Sequence, residues 1–226
     1  MRQYPKSVIF DLDGTLIDSA PAIRETLNNV FSPEGIDKLS LDEVKTLIGF
    51  GAKWMIEEVI KRQKTDRFSG KLEILMARYY DEYLKVSDQF TEVYDGVFDV
   101  LNYLKKFDIK MAICTNKPGP TTMAVLKRLE LLNFFDAVVT EDDVDYRKPD
   151  PRHLLYTIRA IESDPKEAVF VGDSETDMET AIGAEVRSIF VTYGYCHVPF
   201  SDIRATDFID NFSDLPHALT QTIEDE

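Results

Sequence analysis

The chain has 226 residues, enough for one large domain or for a domain with an insertion, and its hydrophobic fraction of 44% is typical of globular proteins. Its 41 acidic and 26 basic residues give a net charge of −15, which argues against nucleic acid as a partner. The two cysteines are too few for a disulfide framework, and we find no signal peptide or membrane-spanning run, so we expect a cytoplasmic protein without a membrane partner.

The first predicted element is a buried strand that ends in an acidic pair. An apolar run from Val8 to Phe10 is followed by Asp11, Asp13 and Gly14. Residues two apart in an extended segment point the same way, so the two carboxylates can lie close together. Such a pair is costly unless a cation lies between the two or one is protonated, which indicates a site for Mg²⁺. On these residues alone, an ordinary Asp-Gly turn remains an alternative.

The segment from residue 20 to residue 87 predicts helices and no strand. Pro21 suits the first turn of a helix, and apolar residues follow it at intervals of three and four. Ser40 and Glu43 have the spacing of a capping box for a short second helix. The last three helices of this segment are predicted at Leu39 to Ile48, Ala52 to Lys64 and Gly70 to Val86.

From residue 95 onward, helical and strand patterns alternate. This order predicts a parallel sheet with helices on both faces. The predicted helices are Gly96 to Phe107, Pro120 to Leu131, Pro151 to Ile161, Glu175 to Gly183 and Leu215 to Ile223. The predicted strands are Ile109 to Cys114, Ala137 to Thr140, Ala168 to Val171 and Ser188 to Thr192.

Side chains that can carry chemistry follow the predicted strands. In open α/β sheets, ligands bind beyond the carboxyl ends of the strands. Pro149 disfavours helical geometry at Lys148, which suits a loop lysine that points inward. Each later group has an ordinary alternative, namely a loop threonine, a surface lysine or an aspartate that caps a helix. These groups are, in chain order, Asp11 and Asp13, then Thr115-Asn116-Lys117, Lys148, and Gly172-Asp173 with Asp177.

The order of these groups resembles that of a known family. The string Asp-Leu-Asp-Gly-Thr-Leu-Ile-Asp-Ser at residues 11–19 is similar to the first motif of the haloacid dehalogenase superfamily, in its phosphatase branch. The other groups resemble the later motifs in the same order. The resemblance implies an α/β fold, with a three-layer Rossmann-like parallel-sheet core from residues 1–18 and 88–226 and an inserted α-helical cap domain from residues 19–87.

The resemblance also implies a mechanism with Mg²⁺ as cofactor. Asp11 would attack phosphorus, and Asp13 would protonate the leaving oxygen and later activate water. Thr115 would bind the transferring phosphate, and Lys148 would offset negative charge. The predicted metal-site residues are Asp11, Asp13 through its backbone carbonyl, Asp173 and Asp177. The predicted substrate-binding residues are Gly14, Thr15, Asn116 and Lys53.

Lys53 and the substrate are the least defined of these predictions. Lys53 is the basic residue of the loop from Gly49, and a solvated helix lysine is its alternative role. The resemblance is greatest to phosphoglycolate phosphatase-like enzymes, which predicts a small phosphorylated metabolite as partner and a monomer or homodimer. A sugar phosphate, a nucleotide, pyrophosphate or a β-phosphoglucomutase-like reaction stays open. A phospho-receiver or interaction protein is the non-enzyme alternative, although receivers lack a helical insertion.

Overall fold

A computed structural model of the chain describes residues 4–63 and 66–221. Six of the strands in these residues form one parallel sheet in the order β5-β4-β1-β6-β7-β8, and β2 pairs with β3 in an antiparallel ribbon. The strands are β1 (Ser7–Phe10), β2 (Ile17–Asp18), β3 (Glu92–Val93), β4 (Lys110–Cys114), β5 (Ala137–Val139), β6 (Ala168–Gly172), β7 (Arg187–Val191) and β8 (Asp207–Ile209).

In the described residues, α-helices alternate with the strands from β3 to β7, whereas four α-helices follow one another between β2 and β3. We call residues 20–90 the helical insertion. In the described residues, none of the helices is long and apolar enough to cross a membrane. The helices are α1 (Ala20–Phe31), α2 (Leu41–Lys45), α3 (Ala52–Arg62), α4 (Leu72–Phe90), α5 (Val97–Lys106), α6 (Gly119–Arg128), α7 (Pro151–Ala160), α8 (Glu175–Gly183) and α9 (Leu215–Gln221).

The sheet is covered on both faces, which gives the three-layer α/β architecture that the sequence predicted. Successive strand residues point to opposite faces, so Val8 and Phe10 of β1 belong to one buried cluster and Ile9 belongs to another. The Ile9 cluster includes side chains of α7 and α8. The Val8 cluster includes side chains of α5, α6 and α9, and it continues without a break into the helical insertion.

The helical insertion is held mainly by the packing of α1 against α4. Leu27 of α1 and Tyr83 of α4 are both fully buried in the shared cluster. At α2 the Ser40 hydroxyl accepts a bond from the Glu43 backbone N–H while the Glu43 carboxylate accepts one from the Ser40 N–H, which confirms the predicted capping box.

Several element boundaries differ from the prediction. The second helix is confined to Leu41–Lys45, because turns lead from it to Gly49, whose φ of 109° no helix accommodates. The strands β2, β3 and β8 were not predicted, since two or three residues are too short to show an alternating pattern. The predicted helix ends at Lys64 and Ile223 lie outside the described residues.

Candidate active site

The candidate active site lies where three neighbouring strands end. β1 is flanked in the sheet by β4 and β6, so the residues that follow these strands meet at one edge. Asp11 follows β1, Thr115 follows β4, and Asp173 follows β6. Residues that are more than a hundred positions apart in the sequence are thereby brought into one group, as their positions at strand ends predicted.

Three aspartates lie at this edge of the sheet, Asp11, Asp173 and Asp177, and a buried lysine links two of them. The Lys148 ammonium donates to Asp11 Oδ1 at 2.7 Å and to Asp177 Oδ1 at 2.6 Å. One carboxylate oxygen from each of Asp11, Asp173 and Asp177 lies within 4.8 Å of the others. Burial raises the pKa of Asp11 to about 7 although the Lys148 charge opposes it. Burial and the charge of Asp177 raise the pKa of Asp173 well above its ordinary value.

Asp173 is held by two hydrogen bonds and lies against two glycines. Its Oδ1 accepts from the Thr15 hydroxyl at 2.8 Å, and its Oδ2 accepts from the Tyr195 backbone N–H at 2.7 Å. A Cβ atom added to either Gly14 or Gly194 would overlap the Asp173 carboxylate. These two glycines therefore leave the space in which the carboxylate lies.

Asp177 is fixed at the start of α8. Its Oδ2 accepts from the Ser174 hydroxyl at 2.6 Å and from the Ser174 and Asp173 backbone N–H groups at 3.1 Å and 3.2 Å. This arrangement is a capping box. Asp177 therefore caps α8, binds Lys148 and belongs to the group of three aspartates. The capping role that was the alternative for Asp173 belongs instead to Ser174.

The oxygen donors fit a hard divalent cation. Three buried carboxylates face one lysine, which leaves an excess of negative charge that a divalent cation can offset. Carboxylate oxygens are the ligands that Mg²⁺ prefers. The Asp13 carboxylate is outside this group, so a role for Asp13 through its backbone carbonyl stays a prediction.

The Asp13 carboxylate is paired with a second buried lysine. The Lys117 ammonium donates to both Asp13 oxygens at 3.0 Å, and it lies 4.4 Å from the centre of the Tyr83 ring. The Lys117 side chain is 4% exposed. Burial alone lowers the pKa of Lys117, but the charges of Asp13 and Tyr83 outweigh it, so the net shift is upward.

Asn116 links the helical insertion to the loop that carries Lys148. Its amide donates to the Gly49 carbonyl and to the Lys148 carbonyl, each at 2.9 Å, and its Oδ1 accepts from the Lys148 N–H at 3.0 Å. Thr115 precedes it, and the Thr115 hydroxyl accepts from the Lys117 N–H at 3.2 Å. The residues of the second predicted motif thus contact both regions of the molecule.

His197 makes a further link between the two regions. It follows β7, and its ring nitrogens lie 2.7 Å from Glu175 Oε1 and 3.2 Å from the carbonyl oxygen of Lys45 in the insertion. Its ring also packs against Phe50, with centroids 5.3 Å apart. The loop between α2 and α3 is therefore anchored on the sheet side by His197 as well as by Asn116.

A cavity lies between the helical insertion and this edge of the sheet. The sheet side contributes the charged and polar groups, among them Asp11, Asp13, Lys117 and Lys148. The insertion contributes uncharged residues to the described lining. They are Ile23, Leu47, Ile48, Gly49, Gly51, Ala52, Met55 and Tyr79.

Most of the predicted site residues are brought together. Five of them lie outside the cavity lining, namely Gly14, Thr15, Lys53, Asp173 and Asp177. Gly14 donates its N–H to the Ile17 carbonyl at 2.9 Å, and Thr15 supports Asp173, so both lie behind the site. Lys53 is exposed on α3 and does not line the cavity. Lys117 lines the cavity although it was not among the predicted site residues. Its position beside Thr115 and Asn116 was the signal that could have identified it.

Comparison with known proteins identifies the family of the chain. The family model described as "Haloacid dehalogenase-like hydrolase" matches residues 8–191. The chain is 34% identical over 215 residues to phosphoglycolate phosphatase of Agrobacterium fabrum, covering 95% of this chain and 92% of that protein. It is 34% identical over 225 residues to phosphoglycolate phosphatase 1 of Pseudomonas aeruginosa, covering 98% and 82%.

Solved structures share the fold. A predicted phosphoglycolate phosphatase from Haemophilus somnus superposes with a TM-score of 0.91 at 24% identity, covering 96% of this chain and 99% of that one. CbbY from Rhodobacter sphaeroides, solved in complex with phosphate, gives a TM-score of 0.83 at 24% identity, covering 93% and 96%. The chain belongs to the haloacid dehalogenase-like hydrolase family, and it groups with the phosphatases of that family.

Proposed function

We propose that this phosphatase hydrolyses a small phosphate monoester, phosphoglycolate or a close analogue, with Mg²⁺ and through a phosphoaspartate on Asp11. The observation that carries the proposal is the pair of separate lysine contacts. Lys148 bridges Asp11 and Asp177, and Lys117 pairs with Asp13. The two carboxylates, two residues apart, thus have different partners, and we assign them different roles, Asp11 as nucleophile and Asp13 as proton carrier. The relatives named phosphoglycolate phosphatase support the choice of substrate.

In the first half-reaction Asp11 is the nucleophile. One of its carboxylate oxygens forms a bond to phosphorus while the bond from phosphorus to the ester oxygen breaks. The protonated form of Asp13 gives its proton to the departing oxygen, so the leaving group departs as an alcohol. Lys148 and the Thr115 hydroxyl stabilise the charge on the equatorial oxygens. A divalent cation held by Asp11 and Asp173 would supply further stabilisation of that charge.

In the second half-reaction water cleaves the phosphoaspartate. Asp13 removes a proton from the attacking water, the water oxygen bonds to phosphorus, and the bond from phosphorus to Asp11 breaks. Inorganic phosphate leaves, and both carboxylates return to their starting states. Asp177 positions Lys148 throughout, because its two oxygens bind that lysine and the cap of α8.

We further propose that residues 19–87 act as a cap over a core formed by residues 1–18 and 88–226. The apolar lining from the insertion, with Met55 and Tyr79, shields the reacting groups from bulk water. The contacts from Asn116 to Gly49 and from His197 to Lys45 hold it over the site. Opening for substrate entry requires these contacts to break.

The test is a hydrolysis screen of the purified protein over phosphate monoesters, with Mg²⁺, with EDTA, and with EDTA followed by excess Mg²⁺. We expect phosphate release from phosphoglycolate with Mg²⁺, loss in EDTA and recovery on addition of Mg²⁺. Ca²⁺ prefers more ligands and a looser geometry, so it should substitute poorly. Full activity in EDTA would contradict the metal site, and failure to release phosphate from every monoester would contradict the proposed function.

A further inference from the structure

Lys117 is a buried cation whose part in the proposed phosphate chemistry is limited to its contact with Asp13. We propose that Lys117 binds a carboxylate on the leaving-group side of the substrate, and so selects phosphate esters of short hydroxy acids. This inference rests on the proposed function and assigns its specificity to one residue. It differs from the sequence prediction, which placed the carboxylate contact on Lys53 of the insertion.

The two cavity lysines occupy different positions relative to the reacting atoms. Lys148 contacts Asp11, the proposed nucleophile, and its second contact is the buried Asp177. Lys117 contacts Asp13, the proposed donor of a proton to the leaving oxygen. The Lys117 ammonium is therefore beside the leaving group, and Lys148 is beside the transferring phosphate.

The charges on the cavity wall leave one candidate for a second anion. Among the described residues that line the cavity, Lys117 and Lys148 are the basic ones, and the insertion adds no charge. The chain as a whole has a net charge of −15 and repels anions at long range. A substrate carboxylate therefore needs a local cation, and Lys148 is already engaged with two carboxylates.

Lys117 has the capacity to take another acceptor. An ammonium group has three N–H donors, and both described hydrogen bonds of the Lys117 ammonium go to the Asp13 carboxylate, with the Tyr83 side chain beside them. Its side chain is 4% exposed, so a new ion pair would form with little screening by water. A substrate carboxylate can share the ammonium with Asp13 or replace one of its contacts.

The contact between Lys117 and Asp13 also limits the length of the substrate. The ester oxygen must reach Asp13 while the carboxylate reaches Lys117, and these two side chains are in direct contact. A spacer of one or two carbon atoms satisfies both contacts. Phosphorylated 2-hydroxy acids have this spacing, and phosphoglycolate is the smallest of them.

The decisive comparison uses two substrates of the same shape. Phosphoglycolate carries the carboxylate, and phosphoglycolamide replaces it with a neutral amide. For the wild-type protein with Mg²⁺, we expect KM to be about 10- to 150-fold lower for phosphoglycolate, the range typical of a hydrogen bond to a charged group. Values within twofold of each other would overturn the inference without any variant.

Two variants separate recognition of the substrate from support of Asp13. Lys117→Met removes the charge and keeps the length of the side chain, and Lys117→Arg keeps the charge. We expect Lys117→Met to raise KM for phosphoglycolate about 10- to 150-fold more than it raises KM for phosphoglycolamide, whereas any effect through Asp13 would be the same for both substrates. Lys117→Arg should retain a preference for the acid. Lys53→Met is the matched control and should behave as wild type.

The remaining outcomes each decide the question. Equal losses on both substrates in Lys117→Met would overturn the inference, because Lys117 would then be a positioning residue for Asp13, while wild-type turnover would leave the proposed function intact. If Lys117→Met does not fold, the inference is tested by two other measurements. These are the preference of the wild-type protein for phosphoglycolate over phosphoglycolamide and the same preference in Lys117→Arg. Hydrolysis of other monoesters but not of phosphoglycolate would overturn the inference about Lys117 and would leave the phosphatase function standing.

Discussion

The sheet and the helical insertion contribute opposite kinds of surface to one cavity. The sheet edge supplies the carboxylates and both lysines, whereas the lining from the insertion carries no charged side chain in the described residues. The sheet side is also internally paired, with Lys148 on Asp11 and Lys117 on Asp13. Under the proposed function, the sheet edge recognises the charges of the substrate, and the insertion contributes shape and excludes water.

The largest expected effect is the loss of phosphate release when a carboxylate of the sheet edge is neutralised. Asp11→Asn removes the proposed nucleophile, and we expect phosphate release to fall more than 100-fold, a loss of about 2.7 kcal/mol or more of barrier stabilisation. Steady-state hydrolysis measures the loss, and circular dichroism checks the fold. Glu57→Gln, the same change on the exposed face of α3, is the matched control from the insertion. Residual activity above one hundredth of wild type would remove Asp11 from its role.

A second effect compares glycines from the two regions. Gly194→Ala places a Cβ atom against Asp173, so we expect the Mg²⁺ concentration for half-maximal activity to rise about 10-fold or more. Gly35→Ala in the insertion has a φ of 76° and no close neighbour, so it should cost about 1 kcal/mol of stability and leave the Mg²⁺ requirement unchanged. Mg²⁺ titrations of activity and thermal melts measure both. An unchanged Mg²⁺ requirement in Gly194→Ala would separate Asp173 from the metal.

A smaller effect concerns the contact between the regions. Burial alone lowers the pKa of His197, but the hydrogen bond and charge of Glu175 outweigh it, so the net shift is upward. The protonated ring is thus favoured in the folded protein. The contribution of the protonated His197 ring to the free energy of unfolding is fully present below the ordinary pKa of about 6.5. It is lost as the pH rises through the higher pKa that His197 has in the folded protein. Partial exposure limits this contribution to about 1 kcal/mol.

Thermal melts of wild type and His197→Gln at pH 6 and pH 9 measure that contribution. We expect wild type to be more stable by up to about 3 °C at pH 6, with a smaller difference at pH 9. A difference that grows with pH would show that the charged form of His197 does not hold the regions together.

The smallest expected effect is on the insertion itself. Lys53 is exposed and does not line the cavity, so Lys53→Met should change kcat and KM for phosphoglycolate by less than about twofold. A 10-fold rise in KM for phosphoglycolate, with phosphoglycolamide unchanged, would show that the insertion does supply charge to the site. The contrast between the two regions would then be wrong.

The sequence predicted the parallel sheet and the residues at its strand ends because both depend on local patterns. Short apolar runs, glycine turns and the capping box around Ser40 are readable within a few positions. The grouping of Asp11 with Lys148 followed from the rule that parallel strands end at one edge.

The parts that were not predicted depend on distant contacts. Lys117 and Asp13 are 104 positions apart, and no local pattern indicates that they pair. The direction of Lys53 depends on how α3 packs, and a single lysine in a helix carries no signal of that. The two-residue strands β2 and β3 are paired across the whole insertion, which no periodicity in either segment shows.

The ribbon of β2 and β3 limits how the insertion can move. Both chain crossings between the insertion and the sheet pass through it, with Ile17 opposite Val93 and Asp18 opposite Glu92. A two-stranded ribbon twists readily, but its ladder bonds resist stretching, so the opening proposed for substrate entry would be a swing about this axis rather than a slide. The Tyr195 hydroxyl donates to Asp18 Oδ1 at 2.6 Å, and its backbone N–H binds Asp173, which places the acidic group next to the pivot. If the insertion rotates about this ribbon, its apolar lining moves through a long arc, while the carboxylates near the axis move little.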